Sequence, residues 1–277
     1  MSELLVVDLG TLPYASALEL QRDVARRRIT GEIAEDVLLL VEHPPVVTLG
    51  RTAKGNNLIA SPEYLATHGV ELFEVERGGD ITFHGPGQLV GYPVMDLKRH
   101  RKDLHWYLRQ VEEALIQSIE AFGITGGRVD KYTGVWVDAD RDSRRKIASI
   151  GVHARDWVTW HGFALNVNTD LRYFDLIVPC GISGVTMTSV SRETQRGPVD
   201  MQAMAREVTR AFAQVFGLTC TPRSRVPAKQ PGRVLDPSHF PLQLPLRSEP
   251  ARENAWCHLE GDRRRRRPFT RNTRRAG

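Results

Sequence analysis

Three stretches of this sequence hold side chains that could do covalent or proton-transfer chemistry. The first holds a thiol. Cys180 sits in "FDLIVPCGISGVTMTSV", after Pro179 and before Gly181, with Gly184 close behind. Proline ahead of it disfavours a helical residue before the turn. Glycines after it free backbone N–H groups to point at a bound atom, which is how an oxyanion pocket is built from main chain. Cys220, between Thr219 and Thr221, and Cys257 have no such setting. The second stretch, "SRRKIASIGVHA", places Lys146 at the start of an apolar strand. A free thiol titrates at about 8.5, so a nucleophilic cysteine needs a histidine or a cation to hold its thiolate near neutral pH. A lysine pointing into the same pocket could do that. The local pattern alone favours a plainer reading, in which Arg144, Arg145 and Lys146 form one solvated turn. The third stretch, "ERGGDITFHGPGQLVGYPVMDL" from Glu76 to Leu97, sets Arg77 and His84 among Gly78, Gly79, Gly85 and Gly87, beside what reads as a strand.

Other chemistries lack their signatures. The chain has no GxSxG, HExxH or GxxxxGK[ST], and no GxGxxG after a strand. Serine hydrolase, zincin, P-loop and dinucleotide-binding readings therefore find no support. The three cysteines form no CxxC pair, which speaks against a disulfide framework and a zinc site and for a reducing, cytoplasmic compartment. The opening "MSELLVVDLG" has no basic leader and only a short apolar run, so neither a signal peptide nor a membrane span is expected.

The elements that must position these residues can be read from periodicity. "LLVVDLG" and "EDVLLLVEH" read as buried strands, and "VVTLG" and "VELFEVE" as shorter ones. Tyr14, Leu18, Gln21 and Ala25 give a helix over Tyr14–Thr30, which ends in Arg26–Arg28. Asp103 is placed to cap a helix whose stripe is Leu104, Leu108, Val111, Leu115, Ile119 and Phe122, ended by Gly123. "TGVWVDAD", "KIASIGVHA" and "WHGFALNVNT" form a strand-rich segment with a turn at "DADRDSRR", and a last helix spans Met201–Phe216 before Gly217. Without a regular βαβ beat, the class is α+β.

The 277 residues, 41% hydrophobic and 26% charged, suit a globular protein with a sizeable core. The net charge of +5 is unevenly placed: residues 223–277 carry 14 Lys and Arg against 5 Asp and Glu, so the rest is mildly acidic. That shift divides the chain into a globular body over 1–222 and a proline- and arginine-rich, disordered tail over 223–277. Because the basicity belongs to the tail, nucleic acid is not the expected partner of the body.

Taken together, "EHPPVVTLGR" (Glu42 to Arg51), "RGGDITFHGPGQLVGYP" (Arg77 to Pro93), "KIASIGV" (Lys146 to Val152), "HGFALNV" (His161 to Val167) and "VPCGISGVTMTS" (Val178 to Ser189) resemble the octanoyltransferase family, the lipoyl(octanoyl) transferases. The likeness spans roughly Leu5 to Phe216. It implies a fold like that of biotin and lipoate protein ligases, a mixed sheet with helices packed on one side. It implies Cys180 as nucleophile, with Lys146 as its acid–base partner. It also implies an acyl groove lined by Arg77, Gly78, Gly79, Asp80, Ile81, Thr82, Phe83 and His84, by Ser149, Ile150 and Gly151, and by Gly162, Phe163 and Ala164.

The reaction that the resemblance implies is transfer of octanoyl from an acyl carrier protein's thioester to a lysine on a lipoyl domain. Such domains belong to 2-oxoacid dehydrogenases and to the H protein of the glycine cleavage system. No cofactor and no metal are expected, since a thioester is already activated. His84 is expected to orient or hydrogen-bond, and Arg77 reads equally as a clamp on neighbouring strand carbonyls. Acidic carrier proteins would dock on one of three basic clusters: Arg26–Arg28, Lys98–Lys102 or Arg141–Lys146. The rival on the same architecture is an ATP-dependent lipoate–protein ligase, which has no need of Cys180.

Overall fold

The computed structural model describes residues 3–223 apart from Lys54, Ile182 and Ser183. Its first half runs β1 (Glu3–Thr11), α1 (Tyr14–Thr30), β2 (Asp36–Glu42), β3 (Val46–Leu49), α2 (Pro62–Thr67), β4 (Glu71–Glu74), β5 (Ile81–His84) and β6 (Gln88–Val94). The second half runs α3 (Leu104–Glu120), β7 (Gly126–Val129), β8 (Tyr132–Val137), β9 (Arg145–Arg155), β10 (Val158–Asn166), β11 (Thr186–Met187), α4 (Val190–Thr194), α5 (Met201–Phe216) and β12 (Thr219–Arg223). The main sheet has the order β12-β1-β2-β6-β10-β9-β8-β7, with β11 added beside β9. It is mixed: β12, β1 and β2 run parallel to one another and the next pairings are antiparallel. A second sheet, β4-β3-β5, was not foreseen from the sequence.

The helices form where periodicity and caps agree. The Asp103 carboxylate accepts the free N–H groups of His105 and Trp106 at the start of α3. Val111, Leu115 and Ile119 of α3 and Val208, Phe212 and Phe216 of α5 are buried together with Leu38, Leu40, Leu89 and Leu165 of the sheet. Each such side chain contributes about 1.5–3 kcal/mol by leaving water. On α1, Tyr14, Leu18, Gln21 and Ala25 are all buried, as their spacing predicts, and Tyr14 and Leu18 pack with Val46 and Phe73 of the second sheet and with Val75 just after β4. So α3 and α5 cover one face of the main sheet, and α1 with the small sheet covers the other. Of the predicted α3 stripe, Leu104 and Leu108 are only partly buried and line a cavity instead.

β12 carries the described chain to Arg223, which pairs with Val7 of β1. The remainder of the proline- and arginine-rich segment, with Cys257, lies outside the described residues.

Candidate active site

Cys180 is the middle residue of a single helical turn, Pro179–Gly181, and holds φ 57°, ψ 17°. That left-handed conformation is uncommon for a residue with a side chain and costs on the order of 1 kcal/mol. The surroundings hold it there. Val178 N–H donates to Asn57 O at 2.7 Å, and the Asn57 amide donates to Asp80 Oδ2 at 2.7 Å. Gly181 lies so close to Asp80 that a Cβ there would stand 2.5 Å from Oδ2. The sequence suggested that Gly181 leaves its N–H free for an oxyanion. Instead that N–H donates to Val178 O at 3.0 Å and closes the turn.

Lys146 Nζ donates to Cys180 Sγ at 3.1 Å. The lysine is 2% exposed, and its ammonium lies 5.2 Å from the centre of the Trp136 ring. It is therefore no member of a solvated turn, and its half-buried neighbour Arg145 opens β9 with its guanidinium paired to Asp138 and Glu193. Ser149 Oγ also reaches Cys180 Sγ, at 4.0 Å. Lys146 and Ser149 are three residues apart on one strand, and a regular strand would send them to opposite faces. The β8–β9 register resolves the conflict. Trp136 pairs with Lys146 and Val135 with Ala148, so Ile147 is an extra residue in β9. The bulge inverts the alternation and turns Lys146 toward the thiol. β11 then runs beside the same segment, Met187 opposite Lys146, and ties the chain after Cys180 to it.

Both side chains line a cavity of about 650 Å³. Arg77, Gly78, Gly79, Asp80, Ile81, Thr82, His84, Ser149, Ile150, Gly151, Gly162, Phe163 and Ala164 line it too. Phe83 does not. It is fully buried on the other side of β5, its ring stacked on Tyr173 at 4.6 Å and edge-on to Phe174, because successive strand residues point to opposite faces. The expected Phe83 wall is supplied by other apolar residues, among them Leu104 and Leu108 of α3, Ile150, Val152 and Phe163. Gly162 and Gly151 are needed for strand approach: a Cβ on Gly162 would meet Gly91 O at 2.1 Å, and one on Gly151 would meet Gly78 O at 2.7 Å.

Arg77 is 7% exposed and acts as the clamp that its type allows. Its Nη2 donates to Thr48 O at 2.6 Å, Nε and Nη2 reach Thr48 Oγ1, and Nη1 donates to Gly78 O at 3.1 Å. His84 is held in one tautomer. Gln88 spends its amide N–H groups on Phe83 O and Asn166 Oδ1, so its Oε1 must accept from His84 Nδ1 at 2.9 Å. Burial, with His43 and Arg77 adding to it, pulls the His84 pKa down to about 3. The ring is neutral at pH 7, and its Nε2 is left as an acceptor. His43 is likewise neutral, its pKa lowered to about 4 by burial, between Leu12 O and the Tyr92 hydroxyl.

Sequence reasoning missed Tyr14, Tyr92 and His161, which also line the cavity. They come from α1, β6 and β10, and nothing in the local sequence brings those elements together. The Glu76 carboxylate sits behind them, with Arg22, Trp160 and His161 as neighbours, and these hold its pKa well below the carboxylate range despite its burial.

The basic clusters are largely spoken for. Arg28 is buried against Asp36 at 3.1 Å, Arg26 and Arg27 pair with Asp23, and Lys98 pairs with Asp96. Among the described residues no group of His, Cys, Asp and Glu is arranged to hold a metal, and no helix is long and apolar enough to cross a membrane.

With this geometry in view, the comparisons with known proteins define a class. Residues 13–213 match the family model described as the lipoyl protein ligase A/B catalytic domain. Solved structures of similar fold include lipoate-protein ligase A bound with ATP, at TM-score 0.62 and 19% identity, covering 80% of this chain and 89% of that one. Another is a bi-partite lipoate protein ligase from Thermoplasma acidophilum, at TM-score 0.62 and 17% identity over 81% and 88%. Such low identities establish the fold alone. The sequence relatives are much nearer. An octanoyltransferase of Myxococcus xanthus is 42% identical over 94% of this chain and 73% of its own length. One of Rubrobacter xylanophilus is 50% identical over 75% and 91%. This chain belongs to the octanoyltransferases of the lipoyl protein ligase A/B family.

Proposed function

We propose that this enzyme moves an octanoyl group from the thioester of an acyl carrier protein to the ε-amine of a lysine on a lipoyl domain, with Cys180 as the intermediate carrier. The observation that supports this reading is the 3.1 Å contact between Cys180 Sγ and Lys146 Nζ at the wall of an otherwise largely apolar cavity. The Cys180 thiolate attacks the donor's thioester carbonyl, and the departing thiolate of the carrier takes a proton from the Lys146 ammonium. The acceptor amine then attacks the Cys180 thioester, gives its proton to the neutral Lys146, and releases Cys180 as thiolate again. Every proton is returned, and no nucleotide is consumed. Arg77, Gly78, Gly79, Ser149, Gly151, Gly162 and Ala164 shape the groove for the chain, and His84 presents a fixed acceptor to an N–H of the substrate. The lipoyl domains of 2-oxoacid dehydrogenases and the glycine cleavage H protein are the acceptors, in the cytoplasm, where carrier proteins and reduced thiols coexist.

Intact-mass spectrometry after mixing the protein with octanoyl carrier protein tests the route. An octanoyl adduct on Cys180, absent from Cys180→Ala, is the expected result. Modification of a lipoyl domain by Cys180→Ala at the parent rate, given ATP and free octanoate, would instead identify the ligase reaction.

A further inference from the structure

A buried carboxylate of α3 lies next to the β8 segment that faces the bulge. Glu112 is 1% exposed, yet it projects from the helix face that packs on β7 and β8. Its Oε1 accepts the backbone N–H of Gly134 at 3.0 Å. Its Oε2 accepts from Arg109 Nη1 at 2.7 Å and from Arg128 Nε at 3.1 Å. The carboxylate thus spans two surface guanidiniums and one strand amide. Gly134 stands at φ 134°, where L side chains rarely go, and a Cβ there would lie 2.7 Å from Lys146 Cε, 3.3 Å from Nζ and 2.6 Å from Ala148 O. The lysine stem therefore runs over bare backbone at Gly134. The next two residues of β8, Val135 and Trp136, are the ones whose pairing skips Ile147. Among the described residues no carboxylate pairs with Lys146 itself, so packing and the thiol alone direct its ammonium.

We infer that Glu112 is a positioning residue for Lys146: by pinning the Gly134 amide it fixes the β8 backbone that forces the Ile147 bulge and seats the lysine against Cys180. The inference rests on the thiol–amine route above and adds to it a residue that touches neither substrate nor sulfur. Other charges facing the Cys180 turn are Arg77 and Asp80, and neither contacts Glu112.

Glu112→Gln is the sharp perturbation. A carboxamide cannot accept from Gly134 on one atom and from both arginines on the other, because one of its two ends is a donor. Whichever way it turns, a donor faces a donor. A displacement of about 1 Å at Lys146 costs on the order of 10²-fold in rate. The expected result is a kcat lower by about that factor, KM for octanoyl carrier protein nearly unchanged, and slower alkylation of Cys180 by iodoacetamide at pH 7. A melting temperature is taken beside each. A variant that folds, melts lower and keeps the parent kcat and alkylation rate would overturn the inference, since a merely structural Glu112 would behave so. If Glu112→Gln does not fold, Arg109→Gln decides by the same criteria, because it removes one prop of the carboxylate from the half-exposed surface. The parent protein separates the two claims. Failure of the parent to form a Cys180 adduct refutes the thiol route, whereas a parent that acylates normally beside unaffected variants refutes only the role given to Glu112.

Discussion

Replacing Lys146 by methionine should separate folding from function. The lysine is 2% exposed, has no carboxylate partner among the described residues, and its Nζ meets one thiol at 3.1 Å. Paired with a thiolate at that distance, it gains about 5 kcal/mol at an effective dielectric of about 20. Taking an ion of this size out of water costs several kcal/mol after relaxation. The two nearly cancel, and methionine fills a similar volume beside Trp136 and Gly134 without a charge to bury. Lys146→Met should therefore unfold within about 2 kcal/mol of the parent in urea, in either direction. Catalysis has no such compensation. Loss of the group that holds the thiolate and later takes the amine's proton should lower kcat/KM by about 10²–10⁴-fold, or roughly 3–5 kcal/mol of barrier. Paired assays of urea unfolding and of octanoyl transfer to a lipoyl domain measure both. Lys146→Met retaining more than about a tenth of parental kcat/KM would refute the acid–base role, because that is less than general catalysis contributes.

Two further outcomes follow from the cavity and the side chains packed against it. His43 and His84 are buried neutral, with pKa values lowered to about 4 and about 3 from the usual 6.5. The unfolded chain binds their protons first, so stability is full above about pH 6.5 and falls as pH drops toward 4, by up to about 1.4 kcal/mol per pH unit for each ring. Urea midpoints measured from pH 7.5 to 4.5 should show this slope, and a flat profile over that range would contradict their burial as neutral rings. Gly151→Ala would place its Cβ 2.7 Å from Gly78 O and 3.2 Å from Arg77 Cδ. Overpacking of this kind costs about 1–3 kcal/mol, and because Gly78 and Arg77 both line the cavity, KM for the acyl donor should rise along with the loss of stability.

Much of the site can be read from the chain alone. Cys180 stands out among three cysteines because proline and glycine flank it, and five short motifs in order point to one family. Lys146 is different. Its local pattern, two arginines followed by a strand, reads as a solvated turn, whereas Arg145 is half-buried and already opens β9. Which way the third basic residue points depends on whether β9 keeps its alternation, and a bulge is set by the partner strand rather than by the strand's own residues. Phe83 shows the same limit from the other side: its type suits an apolar wall, but its parity on β5 turns it into the small sheet's core.

Periodicity, caps and breakers are properties of neighbouring residues, so the sequence by itself determined the helices α1, α3 and α5 and the principal strands, and it singled out the sulfur proposed as the carrier. The meeting of that sulfur with an amine 34 positions earlier was decided only by tertiary structure. It depends on a left-handed turn held by Asn57 and Asp80, on the extra residue Ile147, and on a buried carboxylate from a helix on the far side of β8. These are contacts between elements distant in the chain, and no local pattern encodes the register in which such elements come to rest.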